Sequence, residues 1–169
     1  VLDRWEEGEW LADRIRKGPL SEYELRVIMT GIAQGLAELH AHKIIRRELS
    51  PRAVWLRAQN DRPILTDMEL AKLREGNRTV APEEWPEDPY RAPEVTGDAP
   101  LDVRVDLFSW GRIFVHGATG KLGDWGTEDL KRVNAPQEVK EVVQQCVSVN
   151  RSGRPKDIKT LLKAIKGWE

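Results

Sequence analysis

The sequence predicts a mainly helical domain with a small β-ribbon, and three observations lead there. Apolar residues recur at steps of three and four from Leu25 to Leu39, and the segment 102–116 is apolar on nearly every side. Only two short runs, 53–56 and 63–66, have strand character. The chain holds 169 residues, 40% of them apolar and 33% charged, which is enough for one core and places a single domain over 1–169.

The elements follow in order. The first ten residues are acidic and helical in character. From 10 to 17 the amphipathic spacing of Trp10, Leu11 and Ile15 predicts a short helix, stopped by Gly18 and Pro19. Ser21 and Glu24 form a capping box, each side chain accepting from an N–H of the first turn that the helix itself leaves unpaired. A long helix follows, with Leu25, Ile28, Met29, Ile32, Leu36 and Leu39 as its buried stripe. After His42 a charged run, Arg46-Arg47-Glu48, and then Pro51 predict a loop. The two strand-like runs flank the polar connection 59–62, so they should pair as a hairpin. From 67 to 94 no periodicity survives; Pro82, Pro86, Pro89 and Pro93 mark a long loop, and loops of that length in compact domains are mostly functional or disordered. The segment 102–116 should be the central helix, surrounded by protein. One turn of helix is expected near 128–132, and Pro136 and Pro155 should each open a further helix, the last ending near Gly167.

Composition narrows function. With 27 basic against 28 acidic residues the net charge is -1, so bulk attraction to nucleic acid or to anionic lipid is not the driving force of any interaction. No apolar run approaches the roughly 20 residues that span a bilayer. Cys146 is the single cysteine, which rules out an intrachain disulfide or a cysteine-based metal site. A cytoplasmic protein without membrane or nucleic-acid partners is expected. Lys156, Lys159, Lys163 and Lys166 recur at helical spacing and read as a solvated face. His40, His42 and His116 make no metal set, since the first two lie on different faces of a helix. Trp55 and Trp110 have apolar neighbours and should pack inside, whereas Trp5, Trp85, Trp125 and Trp168 are candidates for exposed binding anchors.

Six segments in this order, GLAELH at 35–40, IIRRELSPRAVWL at 44–56, LTDMELAK at 65–72, YRAPEV at 90–95, DLFSWG at 106–111 and Arg154-Pro155, resemble the eukaryotic-like Ser/Thr protein kinase family. The resemblance covers the C-terminal lobe, from the hinge and first short helix (1–20) through an activation-segment-like loop (67–94). It implies a helical bundle around a buried central helix. No Gly-x-Gly-x-x-Gly and no Val-Ala-x-Lys occurs; in the family these belong to the smaller N-terminal lobe, which is expected to be absent from this chain.

Where active members read His-Arg-Asp-Leu-Lys-Pro-x-Asn, this chain reads RRELSPRA at 46–53. By resemblance Glu48 stands for the carboxylate that orients the substrate hydroxyl, one methylene too long, and a shift of about 1 Å can cost on the order of 100-fold in rate. It is expected to serve the loop by pairing with Arg47 or Arg52. Ser50 replaces the lysine that screens the transferred phosphoryl group. Ala53 replaces the asparagine that holds a second Mg²⁺, and a methyl cannot coordinate a hard cation. Asp67 stands at the family's metal-binding Asp, followed by Met68 and Glu69 instead of Phe and Gly. Pro86 and Glu87 replace the usual Gly-Thr.

Scaffold positions are kept. The resemblance implies that Glu94 pairs with Arg154, that Asp106 accepts backbone N–H groups of the 46–48 loop, and that Arg47 is the family's phosphate-reading arginine. Thr79 and Tyr90 are candidate phosphorylation sites. The pattern implied is a pseudokinase: catalytic residue Glu48 degenerate, one residual metal or nucleotide ligand at Asp67, and a regulatory or scaffolding role. No cofactor is expected for this chain, with Mg-ATP entering only if an N-lobe is supplied. The expected partner is a protein, or the remainder of a larger parent chain, with self-association through the surface an N-lobe would cover, around Ile64, Leu65 and Met68. The alternative implied is the C-lobe of a divergent ATP-dependent Ser/Thr kinase whose N-lobe lies upstream of Val1.

Overall fold

The computed structural model describes residues 7–67, 72–73, 88–96, 100–123 and 126–168. The chain enters through strand β1 (Gly8–Trp10) and short helix α1 (Leu11–Arg16), then the long helix α2 (Glu22–Ala41). Residues 8–10 are therefore extended where helical character was expected. They pair antiparallel with β3 (Val54–Arg57), Trp10 opposite Trp55 with ring centroids 5.0 Å apart. That cross-strand aromatic pair outweighs the local acidic composition.

The capping box at Ser21 is formed: Glu24 N–H donates to Ser21 Oγ at 3.3 Å, and Ser21 N–H donates to Glu24 Oε2 at 2.9 Å. Along α2, Leu25, Ile28, Met29, Ile32 and Leu36 are buried, while Leu39 at the end of the stripe is half-buried. β3 and β4 (Pro63–Leu65) form the expected hairpin, so the sheet runs β1-β3-β4. A separate two-stranded ladder joins β2 (Ile44–Ile45) to β5 (Lys72–Leu73), which lies within the segment expected to be loop throughout.

Helix α3 (Arg104–Thr119) occupies the centre. Trp110 on it is fully buried, and its indole N–H donates to the Met29 carbonyl at 3.0 Å, locking α3 against α2. α3 begins at Arg104, two residues later than the sequence suggested, because Asp102 is drawn off into ion pairs described below. Helices α4 (Thr127–Arg132), α5 (Gln137–Cys146) and α6 (Ile158–Lys166) complete the bundle. Pro136 precedes the first residue of α5 as its cap. Pro155 does not open α6: it is buried two residues before Asp157, whose carboxylate accepts from Lys159 N–H at 3.0 Å and caps the helix.

Trp168 is buried, its ring 5.9 Å from that of Phe114, so it is part of the core and not the exposed anchor the sequence suggested. Trp5, Trp85 and Trp125 lie outside the described residues, as do Thr79, Met68, Glu69, Pro86 and Glu87. Lys156, Lys159, Lys163 and Lys166 are all exposed. Ile64 and Leu65 are half-buried, and Leu65 packs on the core beside Gly35. No helix among the described residues is long and apolar enough to cross a membrane.

Candidate functional site

The site grows from one carboxylate. Asp106, in the first turn of α3, is fully buried and accepts from Arg46 N–H at 2.9 Å and from Arg47 N–H at 2.7 Å. His40, at the end of α2, places its Nε2 2.8 Å from the same carboxylate. A single side chain from the central helix thus fixes the 46–48 loop and the end of α2 together. Buried carboxylates are tolerated when both oxygens are met by donors, and Asp106 meets that condition.

Arg46 occupies the position of the family's histidine and is almost fully buried. Its Nη2 donates to the Thr66 carbonyl at 2.5 Å, tying the charged loop to the residue before Asp67. Burial pulls its guanidinium below the ordinary value, opposed by the charges of Asp106, Asp67 and Glu48. Arg47 is buried too and adopts a left-handed backbone, φ 69°, a conformation that non-glycine residues adopt at a cost and that clusters at functional loops. Glu48 N–H closes the tight turn onto the Arg46 carbonyl at 2.8 Å.

Glu48 is held by an arginine that the sequence reading did not name. Arg91 Nη2, from the segment after the long loop, donates to Glu48 Oε1 at 2.5 Å. Sequence spacing favoured Arg47 and Arg52 because they are adjacent; the fold instead brings Arg91 across 43 positions. Downstream, Ser50 is half-buried and Ala53 is buried in a 3-10 turn (Pro51–Ala53), where its carbonyl accepts from Thr66 N–H at 3.0 Å. Ala53 therefore sits where the chain returns toward Asp67, with a methyl as its side chain. Asp67 is exposed, with φ 52°.

Asp67 offers one carboxylate, Glu48 is occupied by a guanidinium, and Ala53 offers no ligand atom. Among the described residues, no three His, Cys, Asp or Glu side chains gather where they could hold a metal ion.

The scaffold pairs are in place. Arg154, its side chain fully buried, meets Glu94 in a fork, Nη1 to Oε1 at 2.7 Å and Nη2 to Oε2 at 3.0 Å. Its guanidinium also lies 4.7 Å from the Phe108 ring centroid. Next to it Asp102 accepts from Arg104 Nη2 at 2.7 Å and from Arg151 Nη2 at 2.5 Å. Burial works to raise the Asp102 carboxyl, but the hydrogen bonds from Arg104 and Arg151 outweigh it and hold it well below the usual carboxylate range.

Tyr90 is half-buried, and its hydroxyl lies 2.7 Å from His116 Nδ1. Burial pushes the phenol up to about 12, while burial and then the neighbouring Arg112 charge pull the His116 imidazole below its usual value. The geometry suits a neutral imidazole accepting the phenolic proton. Sequence reading missed this pair, the role of His40 and the reach of Arg91. Only His40 had a local signal, as the last residue of GLAELH.

A carboxylate on a buried central helix that anchors a charged loop, together with a forked ion pair closing the end of the long segment, is the architecture of a protein-kinase-like fold. Residues 1–165 match the protein kinase domain family, and the chain belongs to it. It is similar to the probable serine/threonine-protein kinase PkwA of Thermomonospora curvata, 28% identical over 82% of this chain and 20% of that protein. It is also similar to the serine/threonine-protein kinase pkn2 of Myxococcus xanthus, 31% identical over 69% of this chain and 15% of the relative. A third, the serine/threonine-protein kinase PkaA of Streptomyces coelicolor, is 26% identical over 82% of this chain and 28% of its own length. The chain thus spans less than a third of the length of each of these relatives.

Proposed function

We propose that this chain is the C-terminal lobe of a catalytically impaired, protein-kinase-like domain that works as a regulatory or scaffolding module. The observation that carries the reading is the state of the catalytic loop: Glu48 is paired with Arg91, Ser50 stands where a lysine is needed, and Ala53 has only a buried methyl for a side chain. Phosphoryl transfer depends on positioning and on charge stabilisation, and each of those contributions is weakened here. The scaffold groups Asp106, Arg154 and Glu94 remain fully engaged, which supports selection for shape. The partner proposed is a protein, or the rest of a larger parent chain, and no cofactor is assigned to this chain alone; self-association through the face near Ile64 and Leu65 belongs to the same proposal.

A second reading is favoured by the relatives, which are named as serine/threonine kinases, and by the carboxylates retained at Glu48 and Asp67. It takes the chain as part of a divergent ATP-dependent Ser/Thr kinase. Calorimetric titration of the natural full-length protein with Mg-ATP separates the two. The pseudokinase reading expects a Kd weaker than about 1 mM. Binding that is micromolar, Mg²⁺-dependent and lost in Asp67→Ala would replace it with the second.

A further inference from the structure

A pocket of about 370 Å³ between α2, the β3–β4 hairpin and α6 plays no part in the site above. Arg26, Val27, Thr30, Gly31 and Gln34 supply its α2 wall, Arg57, Arg62 and Pro63 come from the β3–β4 hairpin, and Ile165 comes from α6. Three arginines therefore surround one concavity, and no carboxylate lines it among the described residues.

Six arginines elsewhere among the described residues are each met by a carboxylate. Arg14 is met by Glu9, Glu24 and Asp61; Arg16 by Asp13; Arg91 by Glu48; Arg104 and Arg151 by Asp102; and Arg154 by Glu94. Arg26 and Arg62 have no carboxylate partner among the described residues. Arg26 is placed instead beside an exposed aromatic, its guanidinium carbon 5.8 Å from the Tyr23 ring centroid. The hairpin holds Arg57 and Arg62 together through Arg57 N–H to the Arg62 carbonyl at 3.1 Å, and the turn is fixed by Arg62 N–H to Asn60 Oδ1 at 3.1 Å. Gly31 lets this edge approach, because a Cβ there would lie 2.5 Å from the Pro63 ring. Arg26 and Arg62 bring like charges to one pocket, and an anion placed between them turns that repulsion into attraction.

We propose that this pocket binds the phosphate of a phosphoserine or phosphothreonine presented by a partner protein. A phosphomonoester brings close to two negative charges and three strong acceptor oxygens, which suits guanidinium forks arriving from two elements; a carboxylate brings one charge and two oxygens that a single arginine can satisfy. The volume exceeds that of the phosphate itself, and Val27, Pro63 and Ile165 give apolar contact for the chain that carries it. This inference is independent of whether the kinase-like site turns over.

The test follows the arginine Nε–Hε NMR signals of the chain during titration with a short alanine-rich phosphoserine peptide, its unphosphorylated form, inorganic phosphate and a single-stranded RNA oligomer. Saturable shifts at Arg26, Arg57 and Arg62 with the phosphopeptide alone are expected. Arg62→Gln and Arg26→Gln should each weaken binding about tenfold, while Arg16→Gln should not. The inference is overturned if no signal saturates, if the unphosphorylated peptide does as well, or if Arg16→Gln weakens binding equally. It is overturned as well if free phosphate binds as tightly, which makes this a simple anion site, or if RNA saturates the pocket and the peptide does not, which makes it a nucleic-acid surface.

Discussion

Arg154 donates to the Ser148, Arg104 and Val149 carbonyls as well as twice to Glu94, all from a fully buried side chain. Arg154→Met keeps most of the volume but strands a carboxylate and three carbonyls, so a loss of about 3–5 kcal/mol is expected by urea denaturation. The double variant with Glu94→Gln should lose less than the two single losses added together, because removing both partners leaves no uncompensated charge. The Glu94 and Arg154 pairing and the Asp106 anchor were legible before the fold was known, since both come with short motifs. The Glu48 partner was not, because Arg91 reaches it only through the tertiary path of the chain. Cys146 offers a second check at this scale. It is fully buried, and burial pushes its thiol up to about 12, so a thiol reagent should label it about a thousandfold faster in urea than in native buffer. Prompt labelling of the native chain would show that the α3 and α5 contact is looser than described.

Among the elements, helix α2 and the hairpin were readable from periodicity and capping, whereas β1 and β5 were not. A three-residue strand and a two-residue strand carry too few residues for a period, and each exists only because a partner strand lies beside it. The start of α6 was misplaced for a related reason: proline favours a first helical position, but here the Asp157 side-chain cap decides where the helix begins. The docking of the hairpin on α2 turns on Gly31. Gly31→Ala gains up to about 1 kcal/mol in helix propensity but drives a Cβ into the Pro63 ring, an overpacking cost of about 1–3 kcal/mol. A net destabilisation is expected in the urea midpoint, against no measurable change for Gly123→Ala, where a Cβ meets nothing within 4 Å. An unchanged or higher midpoint for Gly31→Ala would mean that the hairpin shifts freely on the helix.

For the whole molecule, stability should peak on a plateau between two titrating limbs. The folded chain disfavours protonated His116, so as pH falls below about 6.5 the unfolded state takes up the proton first and stability drops. Glu9, Glu24 and Asp102 are all held below their usual values, and their contributions are lost in turn as pH falls below about 4.5. Tyr90 is shifted the other way: its contribution is complete below about 10 and is lost as pH rises toward 12. Urea midpoints across pH check this. His116→Asn should flatten the limb between about 7 and 5, and an unaltered slope would exclude the Tyr90 and His116 contact as its source. At this scale the sequence identified the fold because its six motifs lie in one order, while the arginine pocket stayed hidden, since Arg26, Arg57 and Arg62 are dispersed along the chain and meet only after the hairpin docks on α2. The central proposition is that this lobe has kept a kinase skeleton while its reacting groups are disabled. Phosphate transfer from radiolabelled ATP and Mg²⁺ to a generic protein substrate by the natural full-length protein is the most direct measurement of it: transfer no greater than that of the Asp67→Ala variant is predicted, whereas turnover that disappears in Glu48→Gln would contradict it.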